Sequence, residues 1–117
     1  MILYNVTVHL EEEVHSEWLS WMLQKHIPDV MKTGYFTDYQ MFKILSNPHE
    51  GIGYAIQYFC RSEADLAAYQ EKCAPALQAE HQQKYEGKCF AFRTVMEKVE
   101  KEWGQNEAKK STPLQRL

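Results

Sequence analysis

The chain has 117 residues, the size of one ordinary domain with a single hydrophobic core. Its composition, with 44% hydrophobic and 25% charged residues, is typical of a globular protein and excludes a disordered or collagen-like chain. The net charge of −3 argues against nucleic-acid binding, no apolar run approaches the roughly 20 residues that cross a bilayer, and the first residues lack the pattern of a secretory signal.

The amino-terminal segment alternates between apolar and mixed positions with the period of a β-strand. Ile2, Tyr4, Val6, Val8 and Leu10 lie on its apolar face, and β-branched and aromatic side chains of this kind favour strands. The opposite face is mixed. The pattern predicts a first strand over residues 2–10.

An amphipathic helix is predicted next, opened by three glutamates that suit the positive end of a helix dipole. At about 100° per residue its apolar side chains share one stripe, which we expect to rest on the sheet. The members of this stripe are Val14, His15, Trp18, Leu19, Trp21 and Met22. Pro28 disfavours helical geometry at Ile27, so a break or kink is expected near His26. Gly34 is placed to end the following turn in a left-handed conformation.

Two further strands are predicted over residues 36–45 and 52–61, joined by a turn at residues 46–51. Ser62 then begins a second helix, because its hydroxyl can accept a hydrogen bond from a free backbone N–H. Pro75 lies inside this helical pattern and is expected to kink it or to start a new turn.

The carboxy-terminal part of the chain predicts a fourth strand over residues 89–99, followed by a polar tail over residues 100–117. We therefore expect one domain at residues 1–99 and a weakly ordered tail. The element order is strand, helix, strand, strand, helix, strand. This order predicts an α+β, ferredoxin-like βαββαβ fold, with a four-stranded antiparallel sheet and two helices on one face.

The second face of this sheet has apolar residues that the two helices cannot cover. Phe59 and Ala55 are predicted to lie on it from the third strand, and Val95, with the charged Arg93 beside it, from the fourth. A sheet with apolar side chains on both faces needs a second cover. We expect a homodimer that packs sheet to sheet, of the dimeric α/β-barrel type.

Three sequence motifs also resemble an uncharacterised bacterial family of short ferredoxin-like proteins, which is known only as a domain of unknown function. The motifs are Trp18-Leu19-Ser20-Trp21-Met22, His26-Ile27-Pro28-Asp29-Val30-Met31 and Thr33-Gly34-Tyr35-Phe36. The resemblance covers about residues 1–99 and implies a dimeric α/β-barrel fold. It implies no activity and no catalytic residues.

A possible ligand site centres on His26. The break near Pro28 is expected to leave its imidazole between helix and sheet, where it can act as a general acid or base, or can instead cap the helix end. Tyr54 and Tyr58 are expected to face Trp18 and Met22. These rings form either a pocket for a small apolar or aromatic ligand or a filled aromatic core.

Other polar clusters carry less specific signals. His9, His15 and the glutamates between them contain metal-ligand types, but their spacing fits no known metal motif, and we expect no metal site. The three cysteines, Cys60, Cys73 and Cys89, are odd in number and include no C-x-x-C pair, which is typical of a reduced, cytoplasmic protein.

Two functional hypotheses remain open at this stage. The first is a dimeric small-ligand-binding or interaction module without catalysis. The alternative is a cofactor-independent small-molecule enzyme, oxygenase or isomerase-like, with a His/Tyr/Trp pocket. The sequence contains no cofactor motif, and we expect no cofactor. The enzyme hypothesis requires a cavity of roughly 300 Å³ or more beside His26.

Overall fold

The computed structural model describes residues 1–46 and 51–101. They form a four-stranded sheet and a helical layer. The strands are β1 (Ile2–Leu10), β2 (Asp38–Ile44), β3 (Ile52–Cys60) and β4 (Cys89–Glu97). The helices are α1 (His15–Trp21), α2 (Ile27–Lys32), α3 (Glu63–Lys72) and α4 (Ala74–Lys84). The predicted strands end one to two residues from these bounds. Residues 47–50 of the predicted turn and residues 102–117 of the predicted tail lie outside the described residues.

The sheet has the strand order β2-β3-β1-β4, and every neighbouring pair is antiparallel. The two central strands, β1 and β3, are the most regularly alternating segments of the sequence. The helices pack on one face of the sheet, which confirms the predicted ferredoxin-like α+β fold. Within the described part of the chain, no helix is long and apolar enough to span a membrane.

The hydrophobic core lies between the helical layer and the central strands. Tyr4 and Val8 from β1 meet Ile56 and Tyr58 from β3, and each of these side chains is at most 3% exposed. The helical layer covers them with Trp18, Met22, Ile27 and Val30. Because every second residue of a strand faces the same side, the alternation in the sequence correctly predicts this buried set.

The first helical segment is continuous where a break or kink was expected. A π-helical turn at Met22–His26 joins α1 to α2, and the Ile27 N–H donates to the Met22 carbonyl, five residues earlier. Pro28 lacks an N–H and crowds the carbonyl four residues before it. The wider π turn accommodates this without ending the helix. Of the two predicted alternatives, a break or a kink near His26, the helix does not break, and the irregularity lies at the predicted place.

The other residues that were predicted to start or end helices lie at helix ends, as expected. The Asp65 N–H donates to the Ser62 hydroxyl at 3.1 Å, which caps α3. Pro75 lies in the first turn of α4, where its missing N–H has no helical partner to lose. Gly34 follows α2 with φ 84°, a conformation that favours glycine.

The strand register corrects the predicted orientation of β4. Arg93 pairs with Val6, and Val95 pairs with Tyr4, so both residues lie on the helix-covered face and not on the open one. Phe90 and Phe92 take their place on the open face. Both alternating sets of β4 contain apolar residues, so the sequence alone does not show which set faces the helices.

Candidate functional site

A small cavity lies between the helical layer and the sheet, next to the edge strand β4. We call it the helix–sheet cleft. Its volume is about 30 Å³, enough for about two water-sized groups. Its lining is Tyr4, Val6, Val8, Met22, His26, Val30, Ile56, Tyr58, Tyr69, Leu77, Gln78, His81, Ala91 and Arg93. We call the sheet side of this lining its floor and the side formed by the first helical segment its back. Arg93 is the one exposed residue of the lining, so we place the mouth of the cleft there.

Arg93 brings a positive charge to the mouth of the cleft. Its side chain is exposed, since β4 is an edge strand that α4 covers only in part. Among residues 1–46 and 51–101, no ion pair includes Arg93, and every ion pair there involves a lysine. The guanidinium therefore has no carboxylate partner in the described part of the chain.

The Tyr4 hydroxyl lies beside Arg93 and Gln78. Burial raises the pKa of Tyr4, whereas hydrogen bonding to Arg93 and Gln78 and the Arg93 charge lower it. Burial is the main cause that raises the pKa of Tyr69 and lowers the pKa values of His26 and His81, and the Arg93 charge has a smaller lowering effect on all three. One guanidinium thus acts on four titratable groups around the cleft.

His26 comes from the last position of the π turn and lines the back of the cleft. Its Nδ1 is buried and has no hydrogen-bond partner among the residues that the structure describes. Burial is the main cause that lowers the pKa of His26 to about 4, with smaller lowering effects from Lys25 and Arg93 and an opposing effect from Asp29. The imidazole is therefore uncharged at neutral pH.

His81 lies opposite His26 on α4, with the ring centroids 5.7 Å apart. The Trp18 Nε1–H donates to His81 Nε2 at 2.9 Å. An indole nitrogen only donates, so Nε2 is the acceptor and the single proton of neutral His81 is on Nδ1. Burial lowers the pKa of His81 to about 4, which agrees with this neutral form.

The two histidines belong to a cluster of five rings that joins the first helical segment to α4. Adjacent ring centroids in this cluster are 5.1 to 6.5 Å apart. Its members are Trp18, Trp21, His26, His81 and Tyr85. Contacts of this kind fix the position of α4 over the sheet, and with it the width of the cleft.

The structure brings only some of the predicted ligand residues together. Met22, His26 and Tyr58 line the cleft. Trp18 is fully buried and packs against Tyr54 at 5.2 Å between centroids, away from the cleft lining. The Tyr54 hydroxyl is 2.7 Å from His15 Nε2. The predicted space between these rings is therefore a filled aromatic core.

Sequence reasoning missed the contribution of α4 to the cleft. Leu77, Gln78 and His81 lie on one face of this helix at spacings of i, i+1 and i+4. The sequence features that could have indicated this contribution are the spacing of the three residues and Pro75, which marks where α4 begins. The partner of that face depends on how α4 packs, and the spacing alone does not reveal it.

The acidic cluster near the first helix forms ion pairs instead of a metal site. Lys88 pairs with Glu11 and with Glu13. His9 stacks on Phe90 on the open face, with ring centroids 5.3 Å apart. Within the described residues, no group of three or more His, Cys, Asp or Glu side chains is arranged to hold a metal ion.

A larger open groove of about 890 Å³ lies at the end of the sheet, between the start of β3 and the start of β4. Its lining includes Ser46 and Gly51, which flank the segment outside the described residues. Its charged Lys88 is already paired with Glu11. We therefore assign no site to this groove.

The fold and the cleft together define a small ferredoxin-like protein with a cavity between its helices and its sheet, and a charged residue, Arg93, lies at the opening of this cavity. Residues 1–99 match the family described as Domain of unknown function (DUF4286), and the chain belongs to this family. No curated protein matches the sequence.

Solved structures with similar folds come from several proteins of low sequence identity. HapK from Hahella chejuensis has a TM-score of 0.64 and 10% identity, over 85% of this chain and 93% of that one. An antibiotic biosynthesis monooxygenase has a TM-score of 0.63 and 12% identity, over 86% and 100%. An ethyl tert-butyl ether (EthD) family protein from Bacillus halodurans has a TM-score of 0.59 and 16% identity, over 85% and 100%. At these identities the likeness shows the fold alone.

Proposed function

We propose that this protein is a homodimer that binds a small carboxylate with an apolar body in the helix–sheet cleft, without catalysing a reaction. One observation carries the proposal: the Arg93 guanidinium stands at the mouth of the cleft and has no carboxylate partner in the described part of the chain. Arginine presents a planar set of donors that matches a carboxylate, and charge-assisted hydrogen bonds of this kind are strong.

The lining of the cleft sets the chemistry of the remaining part of the ligand. Val6, Val8 and Ile56 form an apolar floor, and the nearby histidines are uncharged at neutral pH. The cavity volume of about 30 Å³ accepts a body of only a few atoms. A short-chain carboxylate fits this space, whereas a flat aromatic ring requires α4 to move outward.

The alternative is a cofactor-independent enzyme, oxygenase or isomerase-like, in which His26 moves a proton. The unpartnered Nδ1 of His26 favours this alternative. Two observations favour binding instead. A histidine whose pKa is lowered to about 4 is a weak base at neutral pH, and the cleft is far smaller than the roughly 300 Å³ of a typical substrate pocket.

Ligand binding is tested by the thermal stability of the full chain in the presence of acetate, propionate and butyrate, with the matching amides as uncharged controls. A ligand that binds the folded state raises the melting temperature in a saturable manner. We expect this for the carboxylates and not for the amides, and we expect Arg93→Gln to abolish it.

Arg61→Gln is the matched control, because Arg61 is also exposed but lies just after β3, outside the cleft lining. A saturable rise in melting temperature that persists in Arg93→Gln, or that is lost equally in Arg61→Gln, contradicts the proposed site. Exchange of the α-proton of a keto acid in D₂O, lost in His26→Gln, is the corresponding test of the enzyme alternative.

The homodimer is proposed from the open face of the sheet. Phe42 is 50% exposed, Phe90 62% and Phe92 49%, and all three rings lie on this one face. Ala55 and Phe59 lie between them on β3 and are half-buried. Antiparallel sheets tolerate one solvated face when it is polar, but large exposed rings on one surface mark an interface. A second copy supplies the same face and is the occupant we propose.

Light scattering on the full chain at micromolar concentration tests the dimer. We expect a dimeric mass for the wild type and a monomeric mass for Phe92→Asp, because a buried unpaired carboxylate disfavours the interface. Leu23→Asp is the control, since Leu23 is similarly exposed, at 45%, but lies on the π turn of the helical layer. A wild-type monomer contradicts the proposal.

We also propose a cytoplasmic location. Cys60 is buried, Cys73 and Cys89 are half-buried, and all three are free thiols. Burial raises the pKa values of Cys60 and Cys89, the latter to about 11, which keeps these thiols protonated and unreactive. Free thiols of this kind are typical of a reducing compartment.

A further inference from the structure

His26, which lines the back of the helix–sheet cleft, has a ring nitrogen without a hydrogen-bond partner among the described residues. His26 Nδ1 is buried and lacks a hydrogen-bond partner among the described residues, although most buried polar atoms in proteins have one. His81 Nε2 cannot form this hydrogen bond with His26, because it already accepts one from the Trp18 indole N–H. The cleft thus has a cationic mouth, and the His26 side chain that lines its back has one unsatisfied nitrogen.

We propose that the ligand of the helix–sheet cleft is a small hydroxy acid, which places its carboxylate on Arg93 and its hydroxyl on His26 Nδ1; this inference rests on the carboxylate-binding function proposed above. A hydroxyl both donates and accepts hydrogen bonds. It therefore satisfies Nδ1 whichever nitrogen of the uncharged imidazole carries the proton. A simple carboxylic acid leaves the nitrogen unsatisfied.

The surrounding charges exclude other groups at this position. The charges of Lys25 and Arg93 both act on His26, and Asp29 is the carboxylate that opposes them. An ammonium group next to His26 is repelled by both cations and loses its hydration in the cleft. The volume of about 30 Å³ admits about two water-sized groups, so a hydroxyl and one carbon fit, with the carboxylate at the mouth.

The test compares acids that differ only in the hydroxyl, with the full chain at pH 7. The pairs are glycolate and acetate, lactate and propionate, and 2-hydroxybutyrate and butyrate. Dissociation constants come from calorimetry, and the ring nitrogens of His26 are followed by ¹⁵N NMR during each titration. We expect the hydroxy acid of at least one pair to bind about tenfold more tightly than its partner and to shift the Nδ1 resonance.

Variants separate this inference from the function on which it rests. His26→Leu removes the nitrogen and is expected to bring the two acids of each pair within about twofold; His26→Gln, which keeps a hydrogen-bonding group, serves if the leucine variant does not fold. Arg93→Gln is expected to abolish binding of both acids.

Each outcome of this test has a definite meaning. Equal binding of both acids in the wild type, with no movement of the His26 resonances, overturns the hydroxy-acid inference and leaves the carboxylate function intact. Tighter binding of the hydroxy acid that persists in His26→Leu also overturns the inference. Absence of binding by every acid overturns both and indicates a cleft that holds water only.

Discussion

On the helix-covered face of the sheet Tyr4, Ile56 and Tyr58 are at most 3% exposed, whereas on the open face Phe42 and Phe92 are about half exposed. The central strands β1 and β3 thus carry a closed core on one side and a face that the chain covers incompletely on the other. On the covered face, rings from the strands pack against rings from the helices. On the open face, the large rings lie mostly on the edge strands β2 and β4.

The centre of the open face is polar and already shielded. Asn5 and Thr7 are each 8% exposed, and the Asn5 Nδ2–H donates to Thr7 Oγ1 at 2.9 Å. The aromatic rings therefore surround a satisfied polar centre. The apolar area that the open face leaves exposed therefore lies mainly at the edge strands and not at its centre.

The largest expected difference between the two faces is in how much unfolding free energy is lost when a large side chain is shortened to alanine. Ile56→Ala removes a fully buried side chain from the covered face and should lower the free energy of unfolding by about 2–5 kcal/mol. Phe42→Ala on the open face should cost less than about 1 kcal/mol when that face is solvated. Urea unfolding of both variants in the Phe92→Asp background, which we expect to be monomeric, measures this. Equal losses of unfolding free energy would show that the two faces do not differ.

A second prediction concerns acid sensitivity, which we expect to arise on the covered face. His26 and His81 have folded-state pKa values near 4, below the usual value of 6.5. As the pH falls below 6.5 the unfolded chain takes up these protons first, so the stability present above pH 6.5 is progressively lost towards pH 4. Between pH 7 and 5 each histidine should cost on the order of 1–2 kcal/mol. A flat pH profile in urea unfolding, matching that of the His26→Gln/His81→Gln double variant, would contradict it.

Trp18→Phe should sharpen the role of the ring cluster that holds α4 over the covered face. The change removes the N–H that donates to His81 Nε2, and we expect a loss of about 2 kcal/mol and a rise in the pKa of His81. Trp21→Phe is the matched control, because Trp21 contacts the same imidazole through its ring, at 5.9 Å. An NMR titration of His81 that is unchanged in Trp18→Phe would refute this role.

The smallest expected effect lies on the outer surface of the helical layer. Lys25 Nζ is 2.7 Å from Asp29 Oδ2 and 3.6 Å from Glu80 Oε1, but the lysine side chain is 52% exposed. Exposed ion pairs contribute little, so Lys25→Met should change the free energy of unfolding by less than about 0.5 kcal/mol. Thermal unfolding at low and high salt checks this; a larger, salt-sensitive loss would mean that surface charge helps to hold α4.

Much of the fold was predictable because it depends on local patterns. The alternation in residues 2–10 identifies β1 and its buried face, Ser62 marks the start of α3, and Gly34 marks the end of α2. The π turn was not predictable in kind, since Pro28 indicates an irregularity without showing whether the helix ends there or widens. Of the candidate site, the sequence predicted Met22, His26 and Tyr58, but placed them with Trp18 and Tyr54, which pack elsewhere.

By itself, the sequence determined the element order, the ferredoxin-like fold and the faces of β1 and β3, because periodicity and end signals act within a few residues. Only the tertiary structure decided that Arg93 faces the helices, since both alternating sets of β4 are partly apolar and pairing with β1 selects between them. It likewise decided that His81 meets His26, because no local pattern records how one helix packs against another.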